Sequence, residues 1–205
     1  CAFVIAALAL LSCSTYTVKV EIERDGVDAV KNAGIVMRTP STLRIVRGEY
    51  ENNLSRWIDG LKKVKKMEIV RGAPEALTLI GEESDRFFQA ADGNRFLTYK
   101  SLGVINQYLR NNRQALTGAL AAGGHDGLLI YEVFGVTSTE MQFVDFDTVI
   151  VLVERDLNVL YLDHQSDNLS TDEFDFEKVK QKLLNSVSER FVEQAIQLEF
   201  LRKEK

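Results

Sequence analysis

Thr148-Val149-Ile150-Val151-Leu152-Val153, followed by Glu154-Arg155-Asp156 and then Asn158-Val159-Leu160-Tyr161-Leu162, is the stretch on which the fold turns. Two apolar runs rich in β-branched residues read as strands, and the short polar join between them favours an antiparallel hairpin. Just upstream, Leu128-Leu129-Ile130-Tyr131-Glu132-Val133-Phe134 is another β-rich apolar run, suited to a central strand, and Asp126-Gly127 leads into it. Downstream, Ser170-Thr171-Asp172-Glu173 fits a capping box. Behind it Phe176, Val179, Leu183, Val187, Phe191, Ala195 and Leu198 trace one stripe at helical spacing. A helix with such a face has to bury it, and the sheet built from 128–134, 148–153 and 158–162 is the surface at hand.

The same reading extends toward the N-terminus. Residues 15–24 alternate apolar and polar, as a half-buried strand does, and Ala33–Arg38 is a short inner strand closed by Thr39-Pro40. Tyr50, Leu54, Trp57, Ile58, Leu61 and Val64 recur at spacings of three and four, which predicts a helix over about 50–65. Met67–Val70 is the next strand, ended by Gly72 and Pro74. Within 75–96, Glu82-Glu83-Ser84-Asp85 can open a short helix and Asp92-Gly93-Asn94 a turn. Leu102, Ile105, Leu109, Leu116 and Leu120 outline a helix over about 98–121, stopped by Gly123-Gly124. The order predicts an α/β (α+β) domain: a mixed sheet of about five to six strands covered by amphipathic helices, with the C-terminal helix packed on it.

Composition narrows the function classes. A chain of 205 residues with 45% hydrophobic and 27% charged side chains suits one folded domain. The net charge of −5 argues against nucleic-acid binding, and with two prolines there is no Pro-rich linker.

Ala2-Phe3-Val4-Ile5-Ala6-Ala7-Leu8-Ala9-Leu10-Leu11-Ser12-Cys13 stands apart from all of this. The run has no period of 2 or 3.6, and it is too short for a bilayer-spanning helix, which needs about 20 residues. Its length matches the apolar core of a secretory signal, about 7–15 residues. Both cysteines, Cys1 and Cys13, lie in or at the end of this run and none follows, so no disulfide framework is expected. Leu10-Leu11-Ser12-Cys13 resembles the lipobox of bacterial lipoproteins. The resemblance implies that residues 1–12 are a truncated lipoprotein signal peptide and that Cys13 carries the lipid, a palmitate-type acyl group included. Residues 13–205 would then form a single periplasmic or surface domain. Ser14, where enterobacterial inner-membrane retention commonly uses Asp, implies outer-membrane delivery.

Motifs that carry chemistry are scarce. No Walker loop, nucleophile elbow or dinucleotide fingerprint occurs. His125 in Gly123-Gly124-His125-Asp126-Gly127 reads as a turn before a strand, and His164 as a polar residue at a strand end. Asp145 and Asp147 share a strand face; a lone acidic pair of this kind reads as solvated, with cation binding the sharper alternative. Lys62-Lys63-Val64-Lys65-Lys66 reads as the cationic end of a helix, where it favours the dipole, with contact to anionic lipid as the alternative. Asn53-Leu54-Ser55 and Asn168-Leu169-Ser170 match the glycosylation acceptor pattern, which bears weight only if the lipobox reading fails. No catalytic residue, metal or cofactor is expected from these residues.

The stretch Leu116 to Val133, "LTGALAAGGHDGLLIYEV", in which a helix ends in Gly and a polar turn feeds a strand, resembles the small periplasmic domains of CsgG, of the TolB N-terminal domain and of LpoB-type activators. The expectation is therefore a lipoprotein held to the envelope membrane, whose domain binds a protein or envelope partner without catalysis. A subunit of an oligomeric secretion or transport assembly, as the CsgG resemblance implies, and an envelope enzyme are the alternatives.

Overall fold

A computed structural model of the chain describes residues 17–21, 24–38, 47–71, 105–139, 143–170 and 175–203. The two runs around Glu154-Arg155-Asp156 do form an antiparallel hairpin, and it is the centre of the molecule. Strand β6 (Phe143–Glu154) pairs with β7 (Val159–Ser170), and β5 (Gly127–Thr139) pairs with β6 on its other side, also antiparallel. Three more strands complete a mixed sheet of six. β1 (Thr17–Glu21) lies antiparallel beside β7, β2 (Asn32–Arg38) runs parallel to β5, and β4 (Lys66–Ile69) runs parallel to β2 at the far edge. A separate two-stranded ribbon joins β3 (Lys62–Lys63) to β8 (Leu201–Arg202).

Helices lie against both faces, because both faces of the central strands are apolar. On one face, α2 (Arg47–Asp59) and α4 (Phe176–Gln197) bury Tyr50, Leu54, Ile58, Leu184, Val187 and Phe191 against sheet residues that include Leu129, Tyr131, Ile150 and Leu152. α1 (Arg24–Ala29) adds Val27 to this layer. On the other face, helical residues 105–111 and α3 (Arg113–Gly123) set Ile105, Leu109, Leu116 and Leu120 against Val36, Leu128, Ile130, Val149 and Val151. The C-terminal stripe thus packs on the sheet: Leu183, Val187, Phe191, Ala195 and Leu198 are all buried. Tyr131 holds the helix from below, donating from its hydroxyl to the Val187 carbonyl at 2.7 Å, and its ring meets Phe191 edge-on with centroids 5.1 Å apart.

Several boundaries differ from the sequence expectation, each for a physical reason. Ser170 belongs to β7, and α4 is capped instead by Asp175, whose carboxylate accepts from the Glu177 N–H at 2.9 Å. The helix expected over 50–65 ends at Asp59; Lys62–Lys63 and Lys66–Ile69 are strands, so the lysine run is not a helix terminus. The helix expected over 98–121 is interrupted at Asn112. Residues 75–96, the signal segment and Cys13 fall outside the described residues.

The three long strands extend well past their neighbours. β5 continues beyond Glu132, its last partner to β2, and β7 continues beyond Gln165, the partner of Thr17. Residues paired past these points, such as Thr139 with Phe143 and Phe143 with Ser170, form a three-stranded extension at the end of the sheet where β1 begins.

Candidate functional site

The buried polar side chains Asp147, Thr148, Asp163, His164 and Gln165 sit where β6 and β7 leave the apolar centre. Alternation along β7 sends Leu162 and His164 to the α3 face and Tyr161, Asp163 and Gln165 to the α4 face. Two polar groups result, one on each face of the same strand pair.

On the α3 face, His164 is fully buried and Asp147 almost so, and His164 Nε2 lies 3.1 Å from Asp147 Oδ1. Val149 is the direct cross-strand partner of His164, which makes Asp147 its diagonal neighbour. Glu132 is buried on the same face, opposite Val149. These placements correct two expectations. His164 is not a surface residue at a strand end, because β7 runs on for six residues beyond it to Ser170. Asp147 is not solvated, because its carboxylate is bonded to a buried imidazole, and charged groups in that position need such a partner. A general base must reach a substrate proton, and an imidazole shut off from solvent on a strand interior does not. Among the described residues no cluster of three or more His, Cys, Asp or Glu side chains is placed to hold a metal ion.

On the α4 face, Asp163 is fully buried and accepts from the Tyr161 hydroxyl at 3.1 Å and from Gln165 Nε2 at 3.0 Å. Nearby, Asp167 is ion-paired with Arg190 of α4, which also reaches Glu193 at 2.8 Å. Burial pushes the Tyr131 and Tyr50 phenols well above the usual tyrosine range; for Tyr50 the neighbouring Tyr131 adds to the effect. Asn53 on α2 donates to the Leu184 carbonyl at 3.0 Å and to Ser188 Oγ at 2.8 Å, which ties α2 to α4. Buried in this way, Asn53 is closed to glycosylation. The Tyr131–Val187, Asp167–Arg190 and Asn53–Leu184/Ser188 bonds match donors to acceptors and fix α4 in register on the sheet and on α2.

His125 sits elsewhere, between the end of α3 and the start of β5. Gly124 takes the left-handed conformation, φ 60°, that ends the helix, and the His125 N–H returns to the Leu120 carbonyl. The ring then turns back over the chain: a Cβ at Gly123 would come within 2.1 Å of it, and one at Gly34 within 2.9 Å. Nδ1 meets Asn32 Oδ1 at 3.2 Å, while the Asp126 carboxylate accepts from the Asn32 N–H at 3.1 Å. His125 and Asp126 therefore do not serve each other; each ties the loop to the start of β2.

Strand extensions were what sequence reasoning missed. Asp163-His164-Gln165-Ser166 looks like a loop by composition. The signal that would have found it is length: β7 has to match β6, a partner strand of 12 residues.

No protein-family model and no curated protein matches this chain. Among solved structures, two PelC dodecamers from Paraburkholderia phytofirmans are similar to it. One is 6% identical at a TM-score of 0.44, covering 85% of this chain and 94% of that one. The other is 7% identical at 0.44, covering 93% and 99%. Likenesses at that level carry no functional argument.

Proposed function

We propose that the chain is a membrane-anchored bacterial lipoprotein, held by lipid at Cys13, whose α/β domain binds a protein or envelope partner and performs no chemistry. The single observation that supports this most is the run Ala2–Ser12, unbroken by charge and closed by Cys13, in a chain that is otherwise more than a quarter charged. The position of β1 is in keeping with it. Thr17 lies four residue steps beyond Cys13, a reach of at most about 14 Å when extended. The domain would then stand close to the bilayer, with the extension of β5, β6 and β7 at the membrane end. Lipid suits such a tether, since each buried CH₂ contributes about 0.8 kcal/mol and two or more chains hold firmly. Among the described residues the Asp147–His164 pair and the Tyr161–Asp163–Gln165 set are shut inside the sheet, which supports a binding role over an enzymatic one.

Fractionation tests the reading. The wild-type chain partitions with outer membranes, and Cys13→Ala releases it. Retention of Cys13→Ala in the membrane, or wild-type protein in the inner membrane, contradicts the anchor or the address respectively.

A further inference from the structure

The ribbon of β3 and β8 brings together two basic segments that are far apart in the sequence. Lys62 stands directly opposite Arg202, and Lys63 opposite Leu201. Lys66 opens β4 immediately after, bonded by its N–H to the Lys31 carbonyl, and Lys203 follows β8. Lys31, Lys62, Lys66, Arg202 and Lys203 are all exposed. Among the described residues none of these five has an ion-pair partner, whereas Lys63 is paired with Asp59 at 3.1 Å. Glu68, two residues beyond Lys66 on the same side of β4, is the nearest opposing charge in the strand. On a chain with net charge −5 this patch is a local inversion of sign.

Two features make it a built surface. Lys65 is buried beneath it, with Nζ donating to the Val27 carbonyl at 3.0 Å and lying 4.6 Å from the Phe200 ring centroid. The Phe200 carbonyl in turn accepts from the Val64 N–H at 2.9 Å and the Lys65 N–H at 3.3 Å, so the turn is pinned from below. That pinning leaves Val64 outward at 44% exposure, the exposed large hydrophobic residue among the described ones. Like charges directly opposite on paired strands are destabilising, and Lys62 facing Arg202 is such a pair. An anion placed between them relieves that repulsion.

From this we infer that the β3–β8 ribbon is the docking surface for an acidic protein segment carrying an apolar side chain, with the carboxylates on Lys62, Lys66 and Arg202 and the apolar group on Val64. The inference deepens the binding role proposed above and takes the anchor from that reading. β4 is at the sheet edge opposite β1, and Lys66 pairs with Asn32 at the end opposite Thr17. The patch therefore faces away from a bilayer that holds Cys13, which disfavours the lipid headgroups of that bilayer. The exposed valine, in turn, suits a peptide better than a wholly polar anion.

The test uses the full chain in detergent and a fluorescent peptide of Glu-Glu-Leu repeats, with a Leu-free Glu peptide and phosphatidylglycerol vesicles as comparison probes. Lys62→Glu is expected to weaken the Glu-Glu-Leu peptide about tenfold, by removing one contact and adding a repulsion. Its melting temperature should hold or rise, because the like-charge pair becomes an opposite pair. Arg202→Glu should behave the same way. Val64→Ser should weaken the Leu-containing peptide about fivefold and leave the Glu peptide unchanged. Unchanged affinity in either charge variant, a fall in melting temperature in both, or vesicle binding in place of peptide binding overturns the proposal. Acylation of Cys13 is read by mass in the same preparation, so failure of the anchor and failure of the docking surface are told apart.

Discussion

Phe191→Ala is the sharpest perturbation of the packing that holds the C-terminal helix on the sheet. The ring is fully buried and meets Tyr131 edge-on, at 5.1 Å and 70°. Truncating a buried Phe costs about 3–5 kcal/mol through lost transfer energy and the cavity left behind. The aromatic contact carries about 0.5–1.5 kcal/mol beyond area. Relaxation is limited, because the Tyr131 hydroxyl stays bonded to the Val187 carbonyl one helical turn away and keeps its ring in place. Against a typical domain stability of about 5–15 kcal/mol the loss is large. For a chain of this size it corresponds to a fall in melting temperature of about 6–20 °C. Thermal unfolding followed by circular dichroism reads it directly, and a urea titration should show a lower midpoint at constant slope. Glu189→Ala, on the exposed side of the same helix, should move neither. A Phe191→Ala protein that melts with the wild type refutes the reasoning. If it also lost a partner, the helix stripe would be a docking surface and not part of the core.

Gln194 is fully buried, and among the described residues both its amide atoms lack a hydrogen-bond partner, so Gln194→Met should raise the melting temperature by the equivalent of about 1–3 kcal/mol; a loss of stability would mean that the amide is satisfied. Asp147→Ala, which strips the buried His164 ring of its carboxylate, should cost about 1–3 kcal/mol, and Asp147→Asn, which keeps an oxygen at that position, clearly less; equal losses would show that the bond contributes nothing. The phenols of Tyr50 and Tyr131 are raised by burial, so both stay protonated in the folded state while the unfolded chain begins to ionise near pH 10. Stability should therefore be unaffected by these two groups below that pH and fall as the pH rises above it, with their phenolate absorbance at 295 nm appearing only on unfolding; early phenolate that disappears in Tyr131→Phe would contradict the burial.

What the sequence made legible follows from how far each signal is local. The hairpin around Glu154-Arg155-Asp156, the inner strand at Ala33–Arg38 and the stripe from Leu183 to Leu198 announce themselves by period and by β-branched composition, and each is found in its place. The far halves of β5, β6 and β7 do not. Between Val133 and Thr148 apolar residues such as Phe134, Val136, Phe143 and Phe146 are interleaved with polar and small ones, and it is the pairing of β6 with β5 and with β7 that makes these segments strands. The same cause hid the polar sets. Asp147 and His164 are seventeen residues apart, and Asp163 is completed by Tyr161 and Gln165 only when all three lie on one strand face. Lys62 and Arg202 meet through a ribbon of two residues a side, too short to leave any pattern. The reading of Lys62–Lys66 as a helix end failed because α2 stops at Asp59, three residues earlier than the lysines.

The central claim is that this chain is tethered by lipid at Cys13, and the mass of its N-terminal peptide tests it most directly. Protein extracted from membranes with detergent, cleaved and analysed by mass spectrometry, should yield a peptide that begins at Cys13 and carries diacylglycerol on the thiol, with an acyl group on the new amino terminus. An unmodified Cys13 within a peptide that still contains Leu10-Leu11-Ser12 would contradict the account.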